Sequence, residues 1–333
     1  PAALMIAGNS VANSKGKKTD KRPNILVILA DDLGYSDLGC YGSEIHTPNL
    51  DKLAQQGVRF NHFYNASRSC PTRASLLTGL YQHQAGIGRM TFDDNLPGYR
   101  GTLSRNAVTI AEVLKESGYT TSMIGKWHVA ETPLRKDQRE WLAHHVYHDT
   151  YSDLCHYPVN RGFDSHYGTI YGVVDYFDPF SLVEGEVPVK EVPEGYYITQ
   201  ALSDRAAEEV TEYAKDDKPF FMYLAYTAPH WPLHALPEDI EKYKDTYKVG
   251  WEAIRNARYE RQKQLGIFPG MDDFLSERQF KDRWEDNAHA EWDARAMAVH
   301  AAMIDRMDQG IGQVIDALEK TGQLDNTLIL FLS

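Results

Sequence analysis

The chain has 333 residues, of which 42% are hydrophobic and 25% charged, and its formal net charge is -12. This composition is typical of a globular protein with enough apolar material for a large core. The acidic balance argues against nucleic acid or an anionic membrane as the main partner. No apolar run approaches the roughly 20 residues that a membrane-spanning helix needs. Cys40, Cys70 and Cys155 have no paired spacing, so they predict neither a zinc site nor a disulfide framework.

The first 22 residues differ in character from the rest. Residues 1–12 are apolar and rich in small side chains, and residues 15–22 are basic and polar. We interpret this region as the remnant of a signal peptide ending near Ala12, which predicts export. A disordered terminus is the alternative. Residues 23–333 are expected to form the folded part of the chain.

Apolar strand patterns alternate with helical patterns along the chain. Residues 25–30 form a continuous apolar run, typical of a strand buried on both faces. Thr47 as N-cap, Pro48 at the first helical position and Gly57 beyond the end delimit a helix. The remaining predicted elements are strands at 58–64, 121–124, 220–226 and 327–332, and helices at 109–117, 199–215 and about 291–322. This alternation predicts an α/β sheet with helices on both faces.

Two stretches interrupt the alternation. Residues 131–197 are rich in Tyr, His, Gly and Pro, and residues 236–289 are heavily charged. We interpret both as insertions over the sheet edge, since loops of that length are usually functional or mobile. Several of their rings, or rings close by, are suited to stacking on a sugar and equally to packing a loop: Trp141, His144, His145, Tyr147, His156, Tyr176, Trp231 and His234.

Polar side chains follow three of the predicted strands, namely Asp31 and Asp32, Lys126 and His128, and His230. In open α/β sheets ligands bind outside the carboxyl ends of the strands, so these residues are expected to converge on one rim. Two adjacent carboxylates repel each other unless a cation lies between them, which suits a hard, oxygen-preferring ion. Taken singly, each has an ordinary alternative: a solvated turn, a surface lysine or a hydrogen-bonded structural histidine.

Ser69 precedes a helix that could begin at Pro71. A nucleophile at a helix N-terminus faces unpaired backbone N–H groups and the positive end of the helix dipole. Arg73, one turn further, adds a fixed charge suited to an anion. An N-capping serine is the alternative interpretation.

The run Ser69-Cys70-Pro71-Thr72-Arg73, followed by Leu77-Thr78-Gly79, resembles the signature of the formylglycine-dependent sulfatases. That signature is Cys or Ser, any residue, Pro, a small polar residue and Arg, then Leu-Thr-Gly. The proline two positions after the modified residue selects Ser69 rather than Cys70. Thr72 departs mildly from the commoner serine.

Other runs extend the resemblance over most of the chain. They are residues 23–32 with Gly34 and Gly39, residues 46–50, Gly125-Lys126-Trp127-His128 and Ala228-Pro229-His230. The resemblance implies the fold of the alkaline-phosphatase superfamily, with a large mixed, mostly parallel sheet and helices on both faces. It also implies a smaller C-terminal domain, which we expect to be missing from this chain.

The resemblance implies a sulfuric ester hydrolase acting on a sulfated carbohydrate or an aryl sulfate. Ser69 would be oxidised to formylglycine by a radical, oxygen-independent maturing enzyme, which indicates a bacterial, periplasmic or secreted protein from an anaerobe. By the same resemblance, the aldehyde would hydrate to a gem-diol. One hydroxyl, made more acidic by a Ca²⁺ ion, would attack sulfur to give a covalent sulfo-enzyme, and the second would then expel sulfate.

By the same resemblance, Arg73 holds the formylglycine and Lys126 binds a sulfate oxygen. His128 is the base that takes the proton of the second hydroxyl, and His230 lies toward the leaving oxygen as a hydrogen-bond donor or acid.

The resemblance makes Asp31, Asp32 and modified Ser69 ligands of one Ca²⁺ ion. In the family an Asp-Asn pair completes this site directly after a strand resembling residues 328–333, and the sequence stops at Ser333. A second sulfate-binding lysine of the family also lies beyond that point. We therefore expect residues 23–333 to be the N-terminal part of the catalytic domain, which alone would bind Ca²⁺ weakly and show little activity.

Two other functions remain open. A phosphodiesterase or phosphonate monoester hydrolase of the same superfamily would use the same metal and modified residue. An unmodified Ser69 would instead leave a non-catalytic protein that binds sulfate or a glycan.

Overall fold

The structure is a computed structural model and describes residues 22–131, 150–268, 275–278 and 282–333. The predicted signal-peptide remnant lies outside these residues except for Arg22, as do four of the candidate sugar-binding rings, Trp141, His144, His145 and Tyr147. Within the described ranges, no helix combines the length and the apolar composition that crossing a membrane requires.

The strands of the described residues are β1 (Asn24–Leu29), β2 (Thr120–Gly125), β3 (Ser165–Thr169), β4 (Leu182–Glu184), β5 (Val187–Pro188), β6 (Phe220–Ala225) and β7 (Thr327–Leu332). The α-helices of the same described residues are α1 (Pro48–Gln56), α2 (Ser69–Thr78), α3 (Ile110–Glu116), α4 (Ile198–Tyr213), α5 (Pro237–Glu241), α6 (Trp251–Gln264) and α7 (Ala290–Lys320).

The strands form one sheet in the order β5-β4-β3-β2-β6-β1-β7. Five adjacent strands, β3, β2, β6, β1 and β7, run parallel to one another. At one edge, β4 is antiparallel to β3 and β5 is antiparallel to β4. The prediction of a mixed, mostly parallel sheet is therefore confirmed. The order also sets β2, β6 and β1 side by side, so that their carboxyl ends share one edge.

The central strands are buried because helices cover both faces of the sheet. On one face, alternate residues of β1 and β6 pack with α1, α4 and α7: Leu26, Ile28, Met222, Leu224, Leu50, Leu202, Ala206, Ile304 and Met307. On the other face, the intervening residues pack with α2 and α3: Val27, Leu29, Phe221, Tyr223, Cys70, Ala74, Leu77 and Ala111. Burial of both faces is what the continuous apolar sequences of β1 and β6 predict.

The strand predicted at 58–64 is wrong. This segment contains no strand, and the exposed fractions of Val58, Phe60 and Tyr64 are 81%, 58% and 85%. Its alternating apolar residues match a strand pattern, but a strand also needs a neighbour to pair with. The segment is instead held by side chains, including the Tyr41 hydroxyl, which donates to the Phe60 carbonyl oxygen at 2.6 Å.

The two predicted insertions contain regular structure. Residues 131–197 include β3, β4 and β5, so their described part extends the sheet instead of only covering its edge. Residues 236–289 include α5 and α6, and charged contacts fasten this stretch to the rest of the fold. Asp239 of α5, for example, accepts from Arg306 of α7 at 2.6 Å.

The start of α1 is capped by a residue distant in sequence. The Thr47 side chain makes no capping bond to the helix. The carboxylate of Asp308, on α7, instead accepts from the backbone N–H groups of Asn49 and Leu50 at 3.1 and 2.9 Å. Thr47 Oγ1 accepts from the Gly39 N–H at 2.9 Å, so this hydroxyl orders the loop before the helix.

Candidate active site

The predicted site residues meet at the carboxyl ends of β1, β2 and β6. Backbone hydrogen bonds align the three segments that leave these strands: the Asp31 N–H donates to the Ala228 carbonyl and the Lys126 N–H to the Ala225 carbonyl, at 2.9 and 2.8 Å. The first turn of α2 faces the same edge and carries Ser69. The sequence prediction that these segments converge is thus reproduced by the sheet order.

Ser69 is the first residue of α2. Its Oγ donates to Asp31 Oδ1 at 3.1 Å and accepts from Arg73 Nε at 3.0 Å. The Nδ1 atom of His128 lies 3.4 Å from the same oxygen. The Ser69 hydroxyl oxygen therefore contacts a carboxylate, a guanidinium and an imidazole.

Asp31 is buried and forms ion pairs with two buried cations, Arg73 and Lys126. Burial alone would raise the pKa of Asp31, but Lys126, Arg73 and His230 hold that pKa well below its usual range. Burial also lowers the pKa of Lys126, and Asp31 opposes this shift. Two cationic side chains around one carboxylate make a positive pocket in an acidic protein, which suits an anionic ligand.

Arg73 is held from further sides. Its Nη1 donates to the Lys126 carbonyl oxygen at 2.7 Å and to the Tyr223 hydroxyl at 3.4 Å. Tyr223 lies inside β6 and was not among the predicted site residues. A tyrosine in an otherwise apolar strand is expected to be buried, and its hydroxyl then needs a hydrogen-bond partner. This expectation is the sequence signal that could have indicated Tyr223.

His128 is fixed between neighbours that the sequence did not single out. Its Nε2 lies 3.2 Å from Cys70 Sγ, and the ring of Tyr171 meets its ring edge-on at 6.2 Å. A Cβ on Gly172 would lie 2.1–2.4 Å from the His128 ring, so only glycine leaves room for it. Burial, then Lys126 and Arg73, hold the pKa of His128 well below its usual value. The ring is therefore neutral at neutral pH.

Asp32 and His230 lie at the outer side of this arrangement. The Asp32 carboxylate is 61% exposed, and His230 Nε2 lies 3.5 Å from its Oδ2. The Tyr176 hydroxyl lies 2.8 Å from the carbonyl oxygens of both Thr227 and His230. Tyr176 is buried and packs against the loop that carries His230. Its role is therefore loop packing, the alternative to stacking on a sugar. Trp231, next in the chain, is 61% exposed.

The oxygen donors fit part of a calcium site. Ser69 Oγ and Asp31 Oδ1 are 3.1 Å apart, a spacing compatible with two ligands at about 2.4 Å from one Ca²⁺ ion. Asp32 adds a second carboxylate from the adjacent position. Among the described residues, neither carboxylate belongs to a group of three His, Cys, Asp or Glu side chains whose ligand atoms all lie within 4.8 Å of one another. Since Ca²⁺ takes about 6–8 oxygens, other oxygen donors must supply the rest of the shell.

Comparison with known proteins gives consistent matches. Residues 23–333 match the Sulfatase family model. The chain is 35% identical over 339 residues to an uncharacterized sulfatase of Schizosaccharomyces pombe, covering 94% of this chain and 57% of that protein. It is 34% identical over 338 residues to the arylsulfatase of Klebsiella aerogenes, covering 99% and 68%.

The fold also matches a solved structure, that of Ps i-CgsB in complex with k-i-k-neocarrahexaose. The TM-score is 0.63 and the identity 32%, over 93% of this chain and 58% of that one. The chain therefore spans a little over half of this protein, as it does of the yeast relative.

Proposed function

Because the chain belongs to the sulfatase family, we propose that its protein hydrolyses sulfate esters with a formylglycine formed from Ser69 as the nucleophile. The observation that carries this proposal is the set of contacts around Ser69 Oγ. Asp31, Arg73 and His128 all lie within 3.4 Å of that oxygen. In the net reaction, water supplies the oxygen that joins sulfur, and the alcohol leaves with a proton.

The proposed reaction needs two groups besides the encoded side chains, namely a formylglycine at position 69 and a Ca²⁺ ion. The hydrated aldehyde of formylglycine supplies a nucleophilic hydroxyl and a second hydroxyl for release of sulfate, and one Ca²⁺ ion held by Asp31, Asp32 and residue 69 offsets negative charge. A serine hydroxyl alone would form a sulfate ester with no internal route for its release. Because the residue to be modified is a serine, we also propose a radical maturing enzyme as a partner. We propose with it that the protein is bacterial and exported.

The side chains of this chain have separate proposed roles. Arg73 orients the oxygen of residue 69 and, with Lys126, binds the negative charge of the sulfate group. His128 accepts a proton from the residue-69 hydroxyl, because its Nδ1 atom faces that oxygen at 3.4 Å. His230, at the outer side beside Asp32, donates a hydrogen bond or a proton to the leaving oxygen.

We propose a sulfated carbohydrate as the substrate, with an aryl sulfate as the second candidate. Two observations support a sugar. Trp231 is exposed beside His230, with ring centroids 5.7 Å apart, and exposed tryptophan rings stack well on sugar faces. In addition, the solved relative Ps i-CgsB is bound to k-i-k-neocarrahexaose.

The test compares an aryl sulfate with an aryl phosphate diester, using full-length protein co-expressed with a radical maturing enzyme. We expect faster turnover of the sulfate ester, and loss of that turnover in Ser69→Ala. Faster turnover of the phosphate diester would favour the phosphodiesterase or phosphonate monoester hydrolase alternative. Binding of sulfated sugars without turnover, at an unmodified Ser69, would favour the non-catalytic alternative. A screen of defined sulfated sugars then identifies the substrate.

A further inference from the structure

A second group of metal-ligand side chains lies on the segment that follows residue 150. Asp153, Cys155 and His156 each offer a ligand atom, and these atoms all lie within 4.8 Å of one another. Among the described residues it is the one group of this kind, and it shares no residue with the site around Ser69. We propose that these three side chains bind one divalent transition-metal ion of the Zn²⁺ type.

The backbone already holds the three ligands together. Asp153 precedes the short 3-10 helix Leu154–His156, and its Oδ1 accepts from the Cys155 N–H at 2.9 Å. The ligand atoms of Asp153 and Cys155 lie within 4.8 Å of each other, and a metal ion bound between them would replace the thiol proton. That proton would pass to the solvent.

His156 has an unpartnered ring nitrogen. Its Nδ1 is buried and has no hydrogen-bond partner in the described structure. An unpartnered buried nitrogen is costly, and a bound ion would give it a partner.

The donor set selects the type of metal. Thiolate and imidazole are ligands of Zn²⁺ and similar ions, whereas Ca²⁺ prefers about 6–8 oxygens. Arg105 and Arg161 lie close enough to act electrostatically on His156, and their positive charges disfavour a cation held by charge alone. Coordination by the thiolate is therefore the decisive bond. With distances of about 2.3 Å to sulfur and about 2.0 Å to nitrogen and oxygen, tetrahedral ligand atoms would be about 3.3–3.5 Å apart, so the three atoms would approach one another by up to about 1.5 Å and leave one position for water.

The bound ion would also stabilise the segment next to the active site. The Trp127 Nε1–H donates to the His156 carbonyl oxygen at 2.9 Å, and Trp127 is fully buried between Lys126 and His128 in the chain. We therefore expect Zn²⁺ to raise the melting temperature of the chain.

Cobalt titration of the reduced 333-residue chain tests the proposal, because Co²⁺ bound to a thiolate absorbs strongly in the near ultraviolet. We expect this absorption at one equivalent of Co²⁺, removed by Zn²⁺ and unaffected by excess Ca²⁺. Cys155→Ser should abolish it, and His156→Ala should weaken Co²⁺ binding by on the order of 100-fold, by analogy with losses at metal sites. Asp153→Asn provides a milder variant if His156→Ala misfolds by circular dichroism.

The other two cysteines provide the controls. Cys40→Ser and Cys70→Ala should keep the absorption, since neither residue belongs to the group. Absence of the absorption in the wild-type chain would overturn the proposal. So would absorption that survives Cys155→Ser and disappears in Cys70→Ala, because this pattern would place the ion beside His128.

Discussion

Cys70 Sγ lies 3.2 Å from His128 Nε2, on the side of the ring opposite the contact with Ser69. Ser69 Oγ lies 3.4 Å from Nδ1 of the same ring. Two consecutive residues in the first turn of α2 thus contact both nitrogens of one histidine. The residue between the predicted nucleophile and Pro71 therefore positions His128 as well as filling the core.

We expect Cys70→Ala in the matured protein to lower kcat roughly tenfold with little change in KM, because a misplaced proton acceptor slows the chemical step more than binding. Cys70→Ser keeps a hydrogen-bonding group and should retain most of the activity. Steady-state kinetics of the two variants provide the measurement. Equal activity of Cys70→Ala and the wild type would show that Cys70 only packs.

Gly172→Ala should nearly abolish activity, because the added Cβ would lie 2.1–2.4 Å from the His128 ring. The clash should also cost about 1–3 kcal/mol of stability. Gly195→Ala is the matched control. That position has φ +78 and nothing within 4 Å of an added Cβ, so it should lose about 1–2 kcal/mol while remaining active. Similar activity losses in both variants would contradict a specific effect on His128.

Asp308→Ala should lower the free energy of unfolding by about 2–4 kcal/mol, because two N–H groups at the start of α1 would lose their acceptor and the Asn49 amide would keep only the backbone carbonyl of residue 308. Asp316, exposed on the same helix, provides the control, and Asp316→Ala should change stability by less than about 0.5 kcal/mol. Urea unfolding followed by circular dichroism measures both. A loss in Asp308→Ala no larger than in the control would contradict the capping role.

His166 should make the chain less stable in mild acid. Burial lowers the pKa of His166 to about 4 in the folded chain, from the ordinary histidine value of about 6.5. The unfolded chain therefore binds the proton first as pH falls, and stability declines from about pH 6.5 down to about pH 4. Between pH 7.5 and pH 5 the loss from this residue is about 2 kcal/mol. Urea unfolding at the two pH values provides the measurement. The free energy of unfolding of His166→Leu should fall by about 2 kcal/mol less than that of the wild type, and an equal fall would contradict the assignment.

Local patterns predicted the elements whose sequence matches their environment. β1 and β6 are continuous apolar runs and are buried on both faces, and the ends of α3 and α7 follow ordinary helix signals. The convergence of Asp31, Lys126 and His230 followed from one rule about the carboxyl ends of parallel strands. These predictions needed no knowledge of contacts distant in sequence.

The errors come from contacts that no local pattern contains. Residues 58–64 have a strand pattern but no strand to pair with, and Thr47 has the identity of a cap while Asp308 supplies the bonds. β3 was missed because its sequence, SHYGT, lacks an apolar run. Cys70 was treated as a variable position, since its contact with His128 depends on how α2 docks against β2.

Mass spectrometry of the peptide containing Ser69, from protein co-expressed with a radical maturing enzyme, tests the central claim most directly. We expect residue 69 to have lost two hydrogens relative to serine, as formylglycine does, with Cys70 unchanged beside it. A population in which Ser69 is entirely unmodified, or in which Cys70 is the converted residue, would contradict the assignment of Ser69 as the nucleophile.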